Sequence, residues 1–279
     1  MTRACVTVGN MRNQTTEILT EKEEKIMADR KKLESAIQDE IGRKQFSLMN
    51  DELFGYVFGR EERRDLTADL LGAVLGETFG HSITGISFMP AEEFPVHSDK
   101  DQFSRFAARC ELGGDEHIFV ELQLVNFMES TKMPLICCAM MLNAQPEYDL
   151  HPVATVSIFS YSLPGDEDWR SDFSVRRKSD GRKLSDGMGI HFLEVPKFAK
   201  AERKPASGMT KLERWMEFFA DRLSDDEKKE LAKLDPAVGR AYAAAEDFFN
   251  DSENCRRYIV REAELREALA ALRSSGDIS

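Results

Sequence analysis

Residues 103–125, FSRFAARCELGGDEHIFVELQLV, decide the fold that this sequence predicts. Within residues 117–125, Ile, Val and Leu alternate with other side chains, which is the two-residue period of a β-strand. Residues 113–115, Gly-Gly-Asp, predict a turn before that strand, because glycine and aspartate tolerate the positive φ of short hairpin loops. The whole stretch therefore predicts a β-hairpin.

The length of the loop decides which residues face each other across this hairpin. A three-residue loop pairs Leu112 with Glu116, and counting back along the first strand then places Ala107 opposite Glu121. Because alternate residues share one face of a strand, the hairpin gathers residues of both strands on one side. They are Arg105, Ala107, Arg109, Phe119, Glu121 and Gln123.

These residues resemble the metal-site hairpin of the PD-(D/E)XK nuclease family transposases, also called recombination-promoting nucleases. That family has an Asp on the first strand and Glu-x-Gln on the second, and this chain has Glu121 and Gln123 at the second pattern. Ala107 stands where the family has its Asp. The resemblance implies that Glu121 is a catalytic Mg²⁺ ligand and that Gln123 orients the attacking water or supports the site.

Further strings of sequence, which occur in the same order as in the family, extend the resemblance over about residues 48–220. They include LMNDELFGYVFG at residues 48–59, IHFLEVPKF at residues 190–198 and LERWMEFF at residues 212–219. The resemblance implies an α/β fold, restriction-endonuclease-like, in which helices flank a mixed central sheet. It also implies a helix across the sheet at residues 131–145, where relatives carry an Arg and several Tyr but this chain reads TKMPLICCAMMLNAQ.

Local patterns predict the elements around the hairpin. Asn50 or Asp51 caps a first helix, and a stripe of leucine and valine predicts a second helix that ends at Gly76. Ser224 and Asp225 mark the start of a helical carboxyl-terminal region. Strands are predicted at residues 82–89, 153–161, 173–178 and 190–195, the last two joined by a turn at Asp180 and Gly181.

The chemistry of phosphodiester hydrolysis makes the alanine on the first strand important. At neutral pH the reaction needs a metal ion that activates water and neutralises charge in the transition state. Mg²⁺ takes oxygen ligands, commonly one or two carboxylates, and alanine has no oxygen to offer. Asp99 or Asp101 would replace the missing carboxylate if the first strand were shifted or bulged. Without a metal, Glu121 would instead form a salt bridge with Arg105 or Arg109 on the same face.

The chain is acidic overall, with a formal net charge of −12, which argues against non-specific coating of nucleic acid. Residues 170–204 are the exception, since ten basic residues against five acidic ones give this segment a charge of +5. Such a patch contacts a DNA backbone, or it is a solvated loop and edge strand protected by lysine and arginine. The candidate DNA contacts are Arg176, Arg177, Lys178, Arg182 and Lys183.

Three regions follow from these patterns. Residues 1–45 predict a helical amino-terminal extension, residues 46–222 the nuclease-like domain and residues 223–279 a helical carboxyl-terminal region. Apolar residues at helical spacing in the extension pack on the body of the protein or form a short coiled coil with a partner. They are Ile26, Leu33, Ile37 and Ile41. The helical termini are also candidates for contacts in a homo-oligomer.

Composition limits the remaining classes of protein. A hydrophobic content of 42% suits a globular protein, and no run of 18 apolar residues predicts a transmembrane helix. The amino terminus lacks the apolar core of a signal peptide, so we expect a cytoplasmic protein without membrane contact. Five cysteines without C-x-x-C spacing and five scattered histidines predict neither a disulfide framework nor a zinc site.

Two functions from different classes are consistent with these observations. The first is a transposase-associated, Mg²⁺-dependent endonuclease with an incomplete metal site, which cuts duplex DNA. The second is a catalytically inactive nuclease fold that binds DNA or a protein partner. A plain protein-interaction module is a third reading. Ala107 leaves the enzyme assignment open.

Overall fold

The structure, a computed structural model, describes residues 24–79, 83–89, 105–113, 116–125, 132–146 and 150–275. At three hairpin positions, Ala107, Glu121 and Gln123, it describes the backbone and its pairing. Residues 114–115 of the turn predicted at 113–115, and the two aspartates at positions 99 and 101, lie outside the described residues.

The described chain contains the helices and strands of an α/β fold. The helices are α1 (residues 24–42), α2 (Asp51–Phe58), α3 (Arg64–Phe79), α4 (Met133–Asn143), α5 (Val195–Lys200), α6 (Lys211–Ala220), α7 (Asp225–Leu234), α8 (Pro236–Phe248) and α9 (Ser252–Ser275). The strands are β1 (Gly85–Phe88), β2 (Arg105–Gly113), β3 (Glu116–Val125), β4 (Val153–Phe159), β5 (Arg170–Ser174) and β6 (Met188–Glu194). Short 3₁₀ turns lie at Glu61–Arg63 and Ala206–Gly208.

One mixed sheet, with the strand order β1-β2-β3-β4-β6-β5, forms the centre of the described fold. Strands β3, β4 and β6 run parallel, whereas β1, β2 and β5 pair antiparallel with their neighbours. Strand β4, VATVSIF, is buried along its whole length, as expected for a parallel strand that is covered on both faces. The predicted mixed sheet with flanking helices is therefore confirmed.

Helix α4 crosses one face of the sheet, as the resemblance implied. Its buried residues Cys138 and Met141 pack on Val153, at the start of β4. The larger apolar core lies among helices α2, α3, α6 and α8, where the ring of Phe58 contacts those of Trp215 and Phe218 edge-on. Burial of these aromatic side chains supplies a large share of the hydrophobic free energy of folding.

Side-chain caps fix the starts of two helices where the sequence predicted them. The Asn50 side chain accepts a hydrogen bond from the backbone N–H of Glu52 at 3.0 Å, which begins α2. Ser224 and Glu227 form a reciprocal capping box that begins α7. Each cap satisfies backbone N–H groups that the first helical turn leaves without partners.

Among the predicted boundaries that differ from the structure, two have a clear physical reason. Helix α3 continues three residues past its predicted end at Gly76, because a glycine inside a helix costs only about 1 kcal/mol and does not end it by itself. The strand predicted at residues 173–178 is instead β5, at Arg170–Ser174, since these residues pair with β6. Beyond Ser174, the pairing in this region is reduced to an isolated bridge between Arg176 and Lys183.

A buried ion pair joins β6 to α5 within the IHFLEVPKF string. The side chains of Glu194 and Lys197 are 3% and 5% exposed, and Glu194 Oε1 lies 3.0 Å from Lys197 Nζ. Glu194 Oε2 accepts a hydrogen bond from the backbone N–H of Leu163 at 2.6 Å. Burial opposes the charged form of Lys197, but Glu194 and Asp166 outweigh it and raise the pKa of the ammonium above its usual value. The ion pair and the hydrogen bond thus stabilise the turn that joins β6 to α5.

The chain divides into two compact units. The larger, residues 47–258, contains the sheet and helices α2 to α8. The smaller contains the chain up to residue 46 and from residue 259 onward. In the smaller unit Arg30 pairs with Glu267 and Arg266 with Glu40, both at 2.6 Å. These pairs join α1 to the last part of α9.

Two further sequence expectations concern membranes and cysteines. In the part of the chain that the structure describes, no helix combines the length and the apolar character that crossing a bilayer requires. Cys110, Cys137 and Cys138 are buried free thiols, and Cys255 is a half-buried one. Burial raises the pKa of Cys110 to about 12, so this thiol is unreactive in the folded protein.

Candidate functional site

The register of the β2–β3 hairpin places Ala107 opposite Glu121, as the sequence predicted. The end of the hairpin differs from the prediction, because Gly113, not Leu112, pairs with Glu116. An irregularity between Glu111 and Gly113 absorbs this difference of one residue. The loop is therefore one residue shorter than predicted, while the pairing in the middle of the hairpin is as predicted.

The row that begins at Ala107 and Glu121 continues onto β4. Glu121 is paired with Thr155 and Gln123 with Ser157 in the parallel register between β3 and β4. Directly paired residues lie on the same face of a sheet. The polar row on that face therefore consists of the positions Glu121, Gln123, Thr155 and Ser157. Both hydroxyl residues are fully buried.

Thr155 is the site residue that the sequence analysis missed. Its Oγ1 has no hydrogen-bonding partner among the described residues, although the atom is shielded from solvent. Leaving a buried hydroxyl unpaired costs about 1–3 kcal/mol, so such an atom in a native fold marks a strained or functional position. The sequence did contain a signal that could have identified Thr155. In VATVSIF the only two polar residues, Thr155 and Ser157, are two apart and so share one face of the strand.

Apolar residues surround the polar row on the same face. On the neighbouring strand β6, Ile190 is paired with Thr155 and Phe192 is paired with Ser157. Next to them, α4 covers the starts of β4 and β6, and the Cys138 thiol lies 3.7 Å from the carbonyl oxygen of Gly189. Helix α4, MPLICCAMMLN, contains no charged residue. It therefore brings no arginine to this face, in contrast to the pattern of the relatives.

The backbone register bears on the predicted Mg²⁺ site only through the residues that it pairs. Ala107 and Thr155 are the register partners of Glu121, and Ser157 is the partner of Gln123 on β4. Across the described residues, no three His, Cys, Asp or Glu side chains are grouped so that they could hold a metal ion. Mg²⁺ commonly takes one or two carboxylates, so the metal site at Glu121 stays a prediction.

Two glutamates of the helical segment that precedes the sheet have basic partners. Glu52, on α2, lies 3.3 Å from Arg257, and Glu61 lies 3.5 Å from Arg64. Both are ion pairs among helical elements and not members of the polar row. The alternative salt bridge from Glu121 to Arg105 or Arg109 involves side chains outside the described part of the chain and stays a prediction.

A basic arm, residues 175–187, connects β5 to β6. It is folded as a narrow loop, with the Arg176–Lys183 bridge at its base and a backbone hydrogen bond of 2.8 Å from Arg177 N–H to the Arg182 carbonyl. Gly181 has φ of +73°, a conformation that glycine adopts at no steric cost, and so makes the predicted turn. The arm carries five basic and two acidic residues, a net charge of +3.

The basic residues of the arm differ in whether a carboxylate of the arm pairs with them. Arg177 pairs with Asp180 and Lys183 pairs with Asp186. The hydrogen bond from Arg177 holds the pKa of the exposed Asp180 carboxyl below its usual value. Lys178 and Arg182 are exposed, and neither side chain forms an ion pair with a described residue. These two side chains are the most available to an external phosphate.

We predict opposite effects on stability for two buried threonine-to-valine changes. Thr155→Val replaces a hydroxyl without a described partner by a methyl group, so the free energy of unfolding should rise by about 1 kcal/mol. Thr67→Val is the control, because the Thr67 hydroxyl donates to the Phe58 carbonyl at 2.5 Å and is equally buried. It should lower the free energy of unfolding by about 1–2 kcal/mol.

Urea denaturation of both variants and the wild type measures these differences. A loss of stability in Thr155→Val similar to that in Thr67→Val would contradict the prediction. It would mean that the Thr155 hydroxyl has a strong partner, with the side chain at position 121 as the nearest candidate in the register.

Comparison with known proteins identifies the family. The chain matches the family described as PD-(D/E)XK nuclease family transposase over residues 48–275. The match therefore includes the hairpin, the polar row, the basic arm and the helices that follow, and it extends well past the resemblance seen in the sequence. Neither the curated proteins nor the solved structures gave a significant match. The chain belongs to the PD-(D/E)XK nuclease family transposases.

Proposed function

We propose that this protein is a nuclease-fold protein that binds DNA and does not cleave it. The observation that carries the proposal is the pairing of Ala107 with Glu121, which leaves one carboxylate where the family hairpin has two. The chain keeps the Glu-x-Gln pattern of its family on β3, so the scaffold of the site is present and one ligand is missing.

The loss of one ligand has a large effect on this kind of catalysis. Metal-assisted hydrolysis relies on a metal ion held in place before the reaction, so that charge is stabilised as it develops. With one carboxylate in place of two, the row supplies less negative charge than the family hairpin, so we expect it to hold Mg²⁺ more weakly. Mg²⁺ chemistry at this face would accordingly be slower by orders of magnitude.

DNA is the partner that the basic arm and the family support. The arm is exposed, carries a net charge of +3 and lies on a protein that is otherwise strongly acidic. A local basic surface directs a polyanion to one region, while the surrounding acidic surface repels it elsewhere. We therefore assign Arg176, Arg177, Lys178, Arg182 and Lys183 to contacts with the phosphate backbone.

The second candidate function is a Mg²⁺-dependent DNA endonuclease. Family membership over residues 48–275 and the position of Glu121 and Gln123 on the central strand favour it. This function needs a carboxylate from another segment, for which Asp99 and Asp101 are the nearest in sequence. Glu121 and Gln123 would then be the catalytic residues, with Glu121 as a metal ligand.

We predict that the wild-type protein does not nick supercoiled plasmid with Mg²⁺ or Mn²⁺, and that Ala107→Asp does. The substitution restores the second carboxylate directly across the hairpin from Glu121. Ala107→Asn is the matched control, because asparagine has nearly the same size as aspartate and carries no charge. Adding Glu121→Ala to Ala107→Asp should abolish the gained activity.

Wild-type nicking that is lost in Glu121→Ala would contradict the first proposal and support the endonuclease. Nicking that Glu121→Ala leaves unchanged would indicate a contaminating enzyme, and a repeat with independently purified protein resolves it. Inactivity of the folded Ala107→Asp variant would show that more than one ligand has been lost from the site.

We predict that Lys178→Ala and Arg182→Ala each weaken binding to duplex DNA of any sequence. Each change removes one exposed cation from the basic arm, so the slope of log affinity against log salt should fall by about 1. Lys229→Ala is the control, since Lys229 is an exposed lysine of α7 far along the chain from the arm. Fluorescence anisotropy with a labelled duplex at several salt concentrations gives the DNA affinity and the salt slope of each protein.

Equal affinities and slopes for the arm variants, the control and the wild type would contradict the assignment of DNA to the basic arm. Failure of the wild type to bind DNA at low salt would favour a protein partner instead.

A further inference from the structure

A cavity of about 280 Å³ lies where β5 and β6 meet the basic arm. Its polar lining residues are Arg170, Asp172, Ser174, Arg176, Lys183 and His191. The cavity is at the small end of the range for ligand pockets, which suits a small anion or a phosphate with part of a sugar.

This cavity is separate from the polar row that contains Glu121. Asp172 pairs with His191 across β5 and β6, so both residues lie on the same face. The row of Glu121 and Thr155 continues to Ile190, which is the next residue to His191 on β6. Because neighbouring residues of a strand point to opposite faces, the cavity and the polar row lie on opposite faces of the sheet.

A buried histidine is the central feature of this cavity. The His191 side chain is 0% exposed, and its Nδ1 lies 2.7 Å from Asp172 Oδ1. Its other nitrogen, Nε2, has no hydrogen-bonding partner among the described residues. Burial opposes ionisation of Asp172, but the hydrogen bond with His191 and the charge of Arg170 outweigh it and lower the pKa of the carboxyl. The ionised carboxylate accepts a hydrogen bond from Nδ1–H, which holds the Asp172 carboxylate and the imidazole ring in place.

The charge of Asp172 is already balanced inside the cluster. Arg170 Nε donates to Asp172 Oδ2 at 2.9 Å, and Arg170 Nη2 donates to the Val74 carbonyl of α3 at 3.2 Å. Arg170 is thus held in place, and His191 satisfies the other oxygen of the carboxylate. The single acid lining the cavity has both oxygens occupied and does not oppose the entry of an anion by itself.

Two cations of the arm complete the cavity. Arg176 donates to uncharged oxygens, the Ser174 hydroxyl at 2.9 Å and the Gly181 carbonyl at 3.0 Å, and forms no ion pair with a described carboxylate. Lys183 pairs with Asp186, whose side chain is 64% exposed and is not a lining residue. A phosphate in the cavity would take the place of the exposed Asp186 beside Lys183 at little cost.

We propose that this cavity binds a phosphate group, with Arg176 and Lys183 supplying the charge that holds it. The inference rests on the proposed DNA-binding function, because the phosphate at the end of a DNA strand is the ligand of this chemistry that the basic arm would bring to the cavity.

Equilibrium dialysis with labelled inorganic phosphate tests the cavity without DNA. Chloride at the same ionic strength serves as the background electrolyte. We expect saturable binding of one phosphate per chain, and a loss of affinity of at least tenfold in Arg176→Ala and in Lys183→Ala. Lys178→Ala and Arg182→Ala carry the matched changes on the same arm outside the cavity, so their phosphate affinity should change less than twofold.

Two DNA duplexes of one sequence, with and without 5′-phosphates, distinguish the source of the phosphate. Tighter binding of the phosphorylated duplex, lost in Arg176→Ala, assigns the cavity to strand ends. Equal affinity for the two duplexes, with phosphate bound in dialysis, assigns it to free phosphate. Absence of phosphate binding, or equal losses in all four arm variants, would overturn the cavity as a site. Binding of the unphosphorylated duplex reports on the proposed function separately.

Discussion

The pairing of β2 with β3 is the constraint on which the rest of this structure depends. Side chains alternate along a strand, so a slip of one residue would move every residue of the hairpin to the other face. The irregularity between Glu111 and Gly113 adjusts the turn and leaves the central register unchanged. That register sets Ala107 against Glu121, and the proposed loss of a facing carboxylate rests on this pairing.

The parallel strands next to the hairpin place the polar row in apolar surroundings. β4 is buried on both faces, and α4 packs its apolar residues beside the polar row. Stability of this sheet comes from buried apolar contacts, so an alanine at position 107 is compatible with the fold. The Thr155 hydroxyl, which has no hydrogen-bonding partner among the described residues, is a polar group inside this apolar sheet, paired in register with Glu121.

Sequence reasoning predicted the hairpin register, the buried strand β4 and the caps at Asn50 and Ser224, because each depends on local patterns that neighbouring residues determine. It missed the start of β5, RSDFS, since a polar edge strand is defined by its partner and not by its own alternation. The contact between Asp172 and His191 also needed the pairing of two strands 19 residues apart. The role of Glu121 and Gln123 stays a prediction.

Binding of Mn²⁺, followed by the electron paramagnetic resonance signal of the free ion, tests the central claim most directly. Mn²⁺ resembles Mg²⁺ in its preference for oxygen ligands. The account predicts that the wild type leaves the free-ion signal unchanged, whereas Ala107→Asp removes one equivalent of Mn²⁺ in a manner that depends on Glu121. One equivalent bound tightly by the wild type and released in Glu121→Ala would contradict it, because the hairpin would then hold a metal without a second facing carboxylate.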